Sequence, residues 1–87
     1  MTELSFMPRY YFDFRDDEAA SLDKEGIDLR SLAEAQEEAA LALADFARST
    51  LADPLGAKSD RELSVSVRDE RGTILAKCVF GIDRPRE

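Results

Sequence analysis

The stretch from Ser31 to Thr50 constrains the fold most, because it carries both the start signal and the period of a helix. Ser31 and Glu34 form a capping box, with Ser31 as the N-cap and Glu34 reaching back to its amide. Ala, Leu and Glu, which favour helices most, dominate the following turns. One helical stripe collects Leu32, Ala35, Ala39, Ala42, Leu43, Phe46, Ala47 and Thr50. We expect the helix to end at Asp53–Pro54–Leu55–Gly56, because Pro54 cannot continue it.

Residues on both sides of this helix alternate in the way that predicts strands. In residues 9–15, one face carries Tyr10, Phe12 and Phe14, and the other carries Tyr11, Asp13 and Arg15. In the first strand after the helix, one face carries Leu63, Val65 and Val67. In the returning strand, the residues expected to face inward are Ile74, Ala76, Cys78, Phe80 and Ile82. Residues 69–72 predict a hairpin turn with Gly72 in the left-handed region. Ser21 to Asp23 predict a short return strand, and Gly26 suits a bend with positive φ.

The order of these elements predicts an α+β fold, a two-layer ββαββ domain with one helix on a small antiparallel sheet. Strand order 2-1-3-4 makes every neighbour antiparallel and gives a right-handed crossover, so we prefer it to 2-1-4-3. The 87 residues allow one core. We expect a disordered leader at 1–7, a single domain at 8–83 and a frayed tail at 84–87.

Two stretches of the sequence also resemble a known family. The run from Pro8 to Asp13, "PRYYFD", and the run from Asp23 to Leu29, "DKEGIDL", precede an Ala/Glu-rich helix and the segment "RELSVSVRDERGTIL". Together they resemble domain of unknown function 6894, a family of short bacterial proteins, from Met7 to about Phe80. The family usually has Asp-Gly where this chain has Asp16–Asp17. The resemblance supports the fold and implies no catalytic residue.

The net charge of −7 is concentrated in one window of the chain. Residues 16–38 hold nine acidic and two basic residues, and the remainder balances ten acids against ten bases. Such a surface repels phosphate backbones, so we expect no direct nucleic-acid partner. The longest apolar run is six residues, at 39–44, which is too short to span a membrane. With no signal-peptide pattern, the sequence predicts a cytoplasmic protein without a membrane partner.

Few chemistries fit the side chains that the chain offers. It has no histidine, the commonest general base and a frequent zinc ligand, and its single cysteine, Cys78, falls on the expected core face. We therefore predict no enzyme, no catalytic residue and no cofactor. Acidic side chains are the only ligand-like feature, and the weak candidates for a divalent cation are Asp16, Asp17, Asp23 and Glu25. A solvated acidic surface is the preferred interpretation of them.

The expected open face of the sheet keeps apolar side chains among polar ones, which indicates a contact surface. The partner-surface candidates are Tyr11, Leu75 and Val79, with Leu41 on the helix away from its apolar stripe. We predict a protein–protein interaction module that forms a homodimer, by packing of the sheet face through the strand that contains Val79 or, second, by helix packing through Leu41. The edge of the same strand offers another route, the addition of a strand from a partner. An antitoxin-like or transcription-linked regulator is one alternative. A divalent-cation-binding protein is the other.

Overall fold

The structure is a computed structural model that describes residues 7–17, 19–52 and 60–83. Its elements follow the order β1 (Arg9–Arg15), β2 (Ala20–Ser21), β3 (Ile27–Asp28), α1 (Leu32–Ala52), β4 (Arg61–Arg68) and β5 (Ile74–Ile82). Three expected features lie outside the described residues: most of the leader, the helix stop at 53–56 and the tail at 84–87.

One helix packs on one antiparallel sheet, so the expected α+β fold is confirmed. The strand order is β2-β1-β4-β5, which is the preferred order 2-1-3-4 with the last two strands renumbered. The rival order, in which the last strand lies beside the first, is wrong. In the observed order β4 is central and β5 forms one edge of the sheet.

The short return strand is the part of the topology that differs from expectation. Two strands of two residues each, β2 and β3, pair with opposite ends of β1, where one strand over Ser21 to Asp23 was expected. Asp23 lies between them, and its side chain bonds to the backbone of β1 in place of a continuous strand. Side-chain bonding of this kind competes with a strand ladder, which explains the interruption.

The core lies between α1 and the middle of the sheet. Leu63, Val65 and Val67 on β4 are fully buried, and they meet the helix residues Ala35, Ala39, Leu43 and Ala47. From β1, Tyr10 is buried and Phe12 and Phe14 pack against this cluster, as their alternation predicted. The ring of Phe14 meets that of Phe46 edge to face, with centroids 5.4 Å apart. The small alanines let the helix lie close to the sheet.

The start of α1 confirms the cap and corrects one of its bonds. Ser31 Oγ accepts from the N–H of Glu34 at 3.2 Å, as a capping box requires. The carboxylate of Glu34 accepts from the N–H of Arg30 at 2.8 Å, not from that of Ser31. Arg30 directly precedes the cap, so the carboxylate reaches one residue further back than expected.

The β4–β5 hairpin has the expected turn, followed by an unexpected irregularity. Gly72 has φ +90°, and the Asp69 carboxylate accepts from two turn amides at 2.9 Å. The register then shifts between Val67 and Arg68, so that Arg68 pairs with Ile74. This β-bulge breaks the alternation. Ile74 was expected to face inward and is 62% exposed, so that assignment is wrong.

Candidate interaction surface

The open face of the sheet, opposite the helix, carries a partly buried ion pair. Arg68 donates from Nε to one oxygen of Asp13 at 2.7 Å and from a terminal nitrogen to the other at 3.1 Å. This bidentate geometry is the strong form of an arginine–carboxylate contact. The hydrogen bond from Arg68 holds the pKa of Asp13 below its ordinary value, so the carboxylate stays ionised.

Tyr11 belongs to the same assembly. The guanidinium of Arg68 lies 4.8 Å from the centre of the Tyr11 ring, within cation–π range. Gly26 packs on the ring, because a Cβ built there would lie 2.9 Å from Tyr11 Cε2. Tyr11 was a candidate for the partner surface, but it is half-buried with contacts inside its own chain. The structure therefore gives it an intramolecular role.

Asp23 closes the gap in the sheet edge between β2 and β3. Its oxygens accept from the N–H groups of Phe12, Glu25 and Gly26, each at 3.1 Å. Its own N–H donates to Asp13 at 2.9 Å, and its carbonyl accepts from Arg68 at 2.8 Å. Burial by itself raises the pKa of Asp23, but the three N–H donors outweigh burial and leave the pKa below its ordinary value.

The other cation candidates do not converge with Asp23. The carboxylate of Asp16 accepts from the N–H of Ala19 at 2.8 Å, while Asp17 and Glu25 are exposed. The described residues contain no group of three or more His, Cys, Asp or Glu side chains placed to hold a metal ion. Within that part of the chain, Asp23 fastens the loop to the sheet instead.

The outer edge of β5 pairs with no described residue. The direction of the backbone N–H and C=O groups on β5 can be traced from β1. There, the Phe12 N–H points away from β4 to reach Asp23. Phe12 and its partner Val67 are therefore a non-hydrogen-bonded pair, and the polar backbone groups of Val67 point toward β5. Val67 must then exchange hydrogen bonds with Ala76, its partner on that strand.

This alternation continues along β5 and decides which amides face outward. Cys78 and Phe80 share the orientation of Ala76 and bond to β4. The backbone N–H and C=O groups of Lys77, Val79 and Gly81 point away from the sheet. The edge thus offers a row of donors and acceptors to another strand.

An apolar groove of ≈ 470 Å³ runs along the same edge, between α1 and β5. Its lining consists of Ala40, Leu43, Ala44, Ala47, Arg48, Cys78 and Phe80. None of the sequence patterns above predicted this groove. A partial signal was present, since Phe80 is a large apolar residue on an edge strand and the helix carries the small residues Ala40, Ala44 and Ala47 on the side that lines the groove.

The remaining partner-surface candidates lie in two separate places. Leu75 and Val79 are on β5 and are 37% and 51% exposed, beside the groove residue Phe80 at 37%. Leu41 is 64% exposed. It follows the buried Ala39 by two residues, about 200° round the helix, so it points away from the sheet. β5 therefore gathers two of the four candidates, and Leu41 stands apart.

The two stretches that suggested a family resemblance form one structural unit. Arg9 pairs with Asp28 at 3.0 Å and donates to the carbonyl of Glu25 at 2.7 Å, and the Leu29 N–H donates to the carbonyl of Pro8 at 3.1 Å. The sequence profile of domain of unknown function 6894 (DUF6894) matches residues 9–81. The chain belongs to this family.

DUF6894 membership agrees with the fold and brings no assigned activity. No curated protein and no solved structure matches the chain. In the described part of the chain, no helix combines the length and the apolar character that a membrane crossing requires. Among the described residues, the β5 edge and its groove form the candidate interaction surface.

Proposed function

We propose that this DUF6894 protein is a non-catalytic protein–protein interaction module that self-associates through the edge of β5. The observation that carries the proposal is the composition of that edge. Its outward backbone groups are unpaired among the described residues, and its exposed side chains include Ile74, Leu75, Val79 and Phe80. A strand from a second molecule would satisfy the backbone groups and cover the side chains.

β5 has few of the features that keep sheet edges apart. Natural edge strands are protected by shortness, proline, charge or bulges. β5 is nine residues long, contains no proline and carries one charge, on Lys77. Its bulge lies at one end, beside Ile74, and leaves the rest of the strand in regular register.

The charge distribution favours this edge over the opposite one. The net charge of −7 comes from residues 16–38, which include β2, β3 and the first turns of α1. β2 and β3 flank β1 on the far side of the sheet from β5. Two copies that meet at β5 therefore keep the acidic residues of the β2–β3 segment apart, which limits repulsion between like charges.

The ionisation of Asp13 and Asp23 supports a structural role for these side chains over a catalytic one. The pKa values of Asp13 and Asp23 are both lowered, through Arg68 and through backbone N–H groups, so both acids stay charged. A general acid needs the opposite shift. We place the protein in the cytoplasm of a bacterial cell, where a reducing medium keeps a thiol such as Cys78 free.

Sedimentation velocity over a concentration series tests the proposal. We expect the unmodified protein to sediment as a dimer at tens of micromolar. Val79→Lys should shift it to monomer, because it brings lysines of the two copies together on the paired strands, and like charges on paired strands are destabilising. Leu41→Lys is the matched control, since Leu41 is also exposed but points away from β5, and it should leave the dimer intact. A monomer at every concentration, or a dimer that only Leu41→Lys disrupts, would refute self-association through β5.

A further inference from the structure

We infer that two copies of the chain pair their β5 strands antiparallel about a two-fold axis at Cys78, and that this pairing closes the α1/β5 groove with the helix of the second copy. The inference rests on the proposed self-association and specifies its register and contacts. The molecule that occupies the groove is a second copy of this chain.

The backbone of β5 restricts the possible registers. Outward-pointing amides belong to Lys77, Val79 and Gly81, and an antiparallel hydrogen-bonded pair needs an outward-pointing residue on each strand. The two-fold axis must therefore pass through a residue pair, not between residues. Among such registers, an axis at Cys78 is the one that overlaps the whole of Ile74–Ile82, because Cys78 is its middle residue.

Neighbouring registers are less favourable. With the axis at Lys77, two lysines lie directly opposite each other, which destabilises a strand pair. With the axis at Val79, Ile74 and Leu75 extend beyond the partner strand and stay uncovered. With the axis at Cys78, Lys77 bonds to Val79 of the second copy, and its long side chain can extend past that valine to solvent on the open face.

The position of α1 means that the same strand pairing also brings the second helix against the groove. α1 packs on β4 and β5, so its axis lies about half a strand spacing inside β5. A two-fold axis perpendicular to the sheet puts both helices on the same face. With strands about 4.8 Å apart, the two helix axes are then about 10 Å apart. Packed helices lie about 8–10 Å apart, so the second helix fits against the groove without a gap.

The groove side of α1 suits such an approach. Ala40 and Ala44 are small, exposed and one turn apart, so they let a second helix come close. Arg48 is the charged residue of the lining, and it pairs with Asp45 at 2.7 Å. The residues that line the groove therefore add no unpaired charge to the contact, while Glu37, two turns before Ala44 on the same helix side, lies outside the lining.

The size of the contact agrees with a stable dimer. A strand of nine residues is about 30 Å long, and a sheet layer plus a helix layer is about 20 Å deep. The end of the molecule at β5 therefore presents about 600 Å² per copy, which is the lower bound for specific interfaces.

Disulfide trapping tests the register. Diamide oxidises two thiols to one disulfide and takes up the two electrons and two protons itself. In the inferred register the Cys78 residues of the two copies face each other as a non-hydrogen-bonded pair, within disulfide range. The control variant Cys78→Ala/Val79→Cys moves the thiol to a more exposed position, whose counterpart in the second copy lies diagonally, about 7–8 Å away.

We expect the unmodified protein to cross-link at least ten times faster than the control variant. Faster cross-linking of the control would mean that exposure or a Val79-centred register governs the reaction, and it would overturn the inferred register. Sedimentation of both proteins distinguishes a wrong register from a failure of self-association. A dimer with the wrong cross-link refutes the register alone, whereas a monomer refutes the proposed function as well.

A second variant pair tests the helix contact. Ala44→Arg should weaken dimerisation at least tenfold, because it puts a bulky charge where the second helix approaches. Ser49→Arg is the control, since Ser49 is exposed and lies about 140° further round the helix. Circular dichroism of both variants checks that the monomer fold is kept. Equal dissociation constants for the two variants would overturn closure of the groove by the second helix.

Discussion

Asp23→Ala tests the most specific structural role in the molecule. The change removes the acceptor of three backbone N–H groups, those of Phe12, Glu25 and Gly26, and leaves the Asp13–Arg68 pair in place. A net hydrogen bond contributes about 1 kcal/mol, and water can replace the exposed one at Glu25. We therefore expect a loss of about 2 kcal/mol in the free energy of unfolding.

Urea denaturation at one fixed protein concentration measures this loss, since self-association would otherwise contribute to apparent stability. In a thermal scan the same loss corresponds to about 10 °C, given about 4–8 °C per kcal/mol for a domain of this size. Asp17→Ala is the control, because Asp17 is exposed on the same acidic segment. Asp23→Asn should fall between them, since its single oxygen can serve Glu25 and Gly26 but not Phe12. An Asp23→Ala loss within about 0.5 kcal/mol of the control would refute the role given to Asp23.

The pH dependence of the same variant follows from the lowered pKa of Asp23. A carboxylate whose pKa is lower in the folded state stabilises the fold above its unfolded-state pKa of about 3.9. That contribution disappears as pH falls from there through the lower folded-state pKa. The stability gap between the unmodified protein and Asp23→Ala should thus be full at neutral pH and shrink progressively below about pH 4. A gap that stays constant down to pH 2 would contradict an ionised acceptor.

Two further substitutions test the core and the loop. Leu63→Ala should cost about 2–5 kcal/mol because Leu63 is fully buried, whereas Leu41→Ala should cost less than about 0.5 kcal/mol; urea titration compares them, and equal costs would contradict the core assignment. Gly26→Ala should cost more than about 1 kcal/mol, since Gly26 has φ +72° and a Cβ there would lie 2.8 Å from Arg9 Cγ. Gly81→Ala has open space around its Cβ and should be neutral in the same thermal scan, so equal melting shifts would contradict the tight approach at Gly26.

Elements with strong local signals were predictable from the sequence. α1 carries a cap, good helix formers and a regular stripe, and the β4–β5 hairpin carries alternation with Gly72 at its turn. The side-chain period of each also assigned the core, since Val65 on β4 and Ala39 on α1 are fully buried. Local propensity and tertiary packing agree at these positions.

The rest depended on contacts between residues far apart in the chain. The loop around Asp23 takes its shape from Phe12, eleven residues away, and from Arg68, forty-five residues away. No local period encodes such bonds, so a strand was expected where a side chain completes the edge. The groove had only a partial signal, in Phe80 and the small helix residues Ala40 and Ala44, because its position depends on where α1 lies across β4 and β5. The bulge that exposes Ile74 is likewise a property of the strand pair.

Amide hydrogen exchange along β5, followed by NMR at several protein concentrations, tests the central claim most directly. The N–H groups of Cys78 and Phe80 bond to β4 and should exchange slowly at every concentration. Those of Lys77, Val79 and Gly81 point outward and should exchange fast when dilute. We predict that these three become protected as the concentration rises through the dimerisation range. Fast exchange of all three in the most concentrated sample would contradict self-association through the β5 edge.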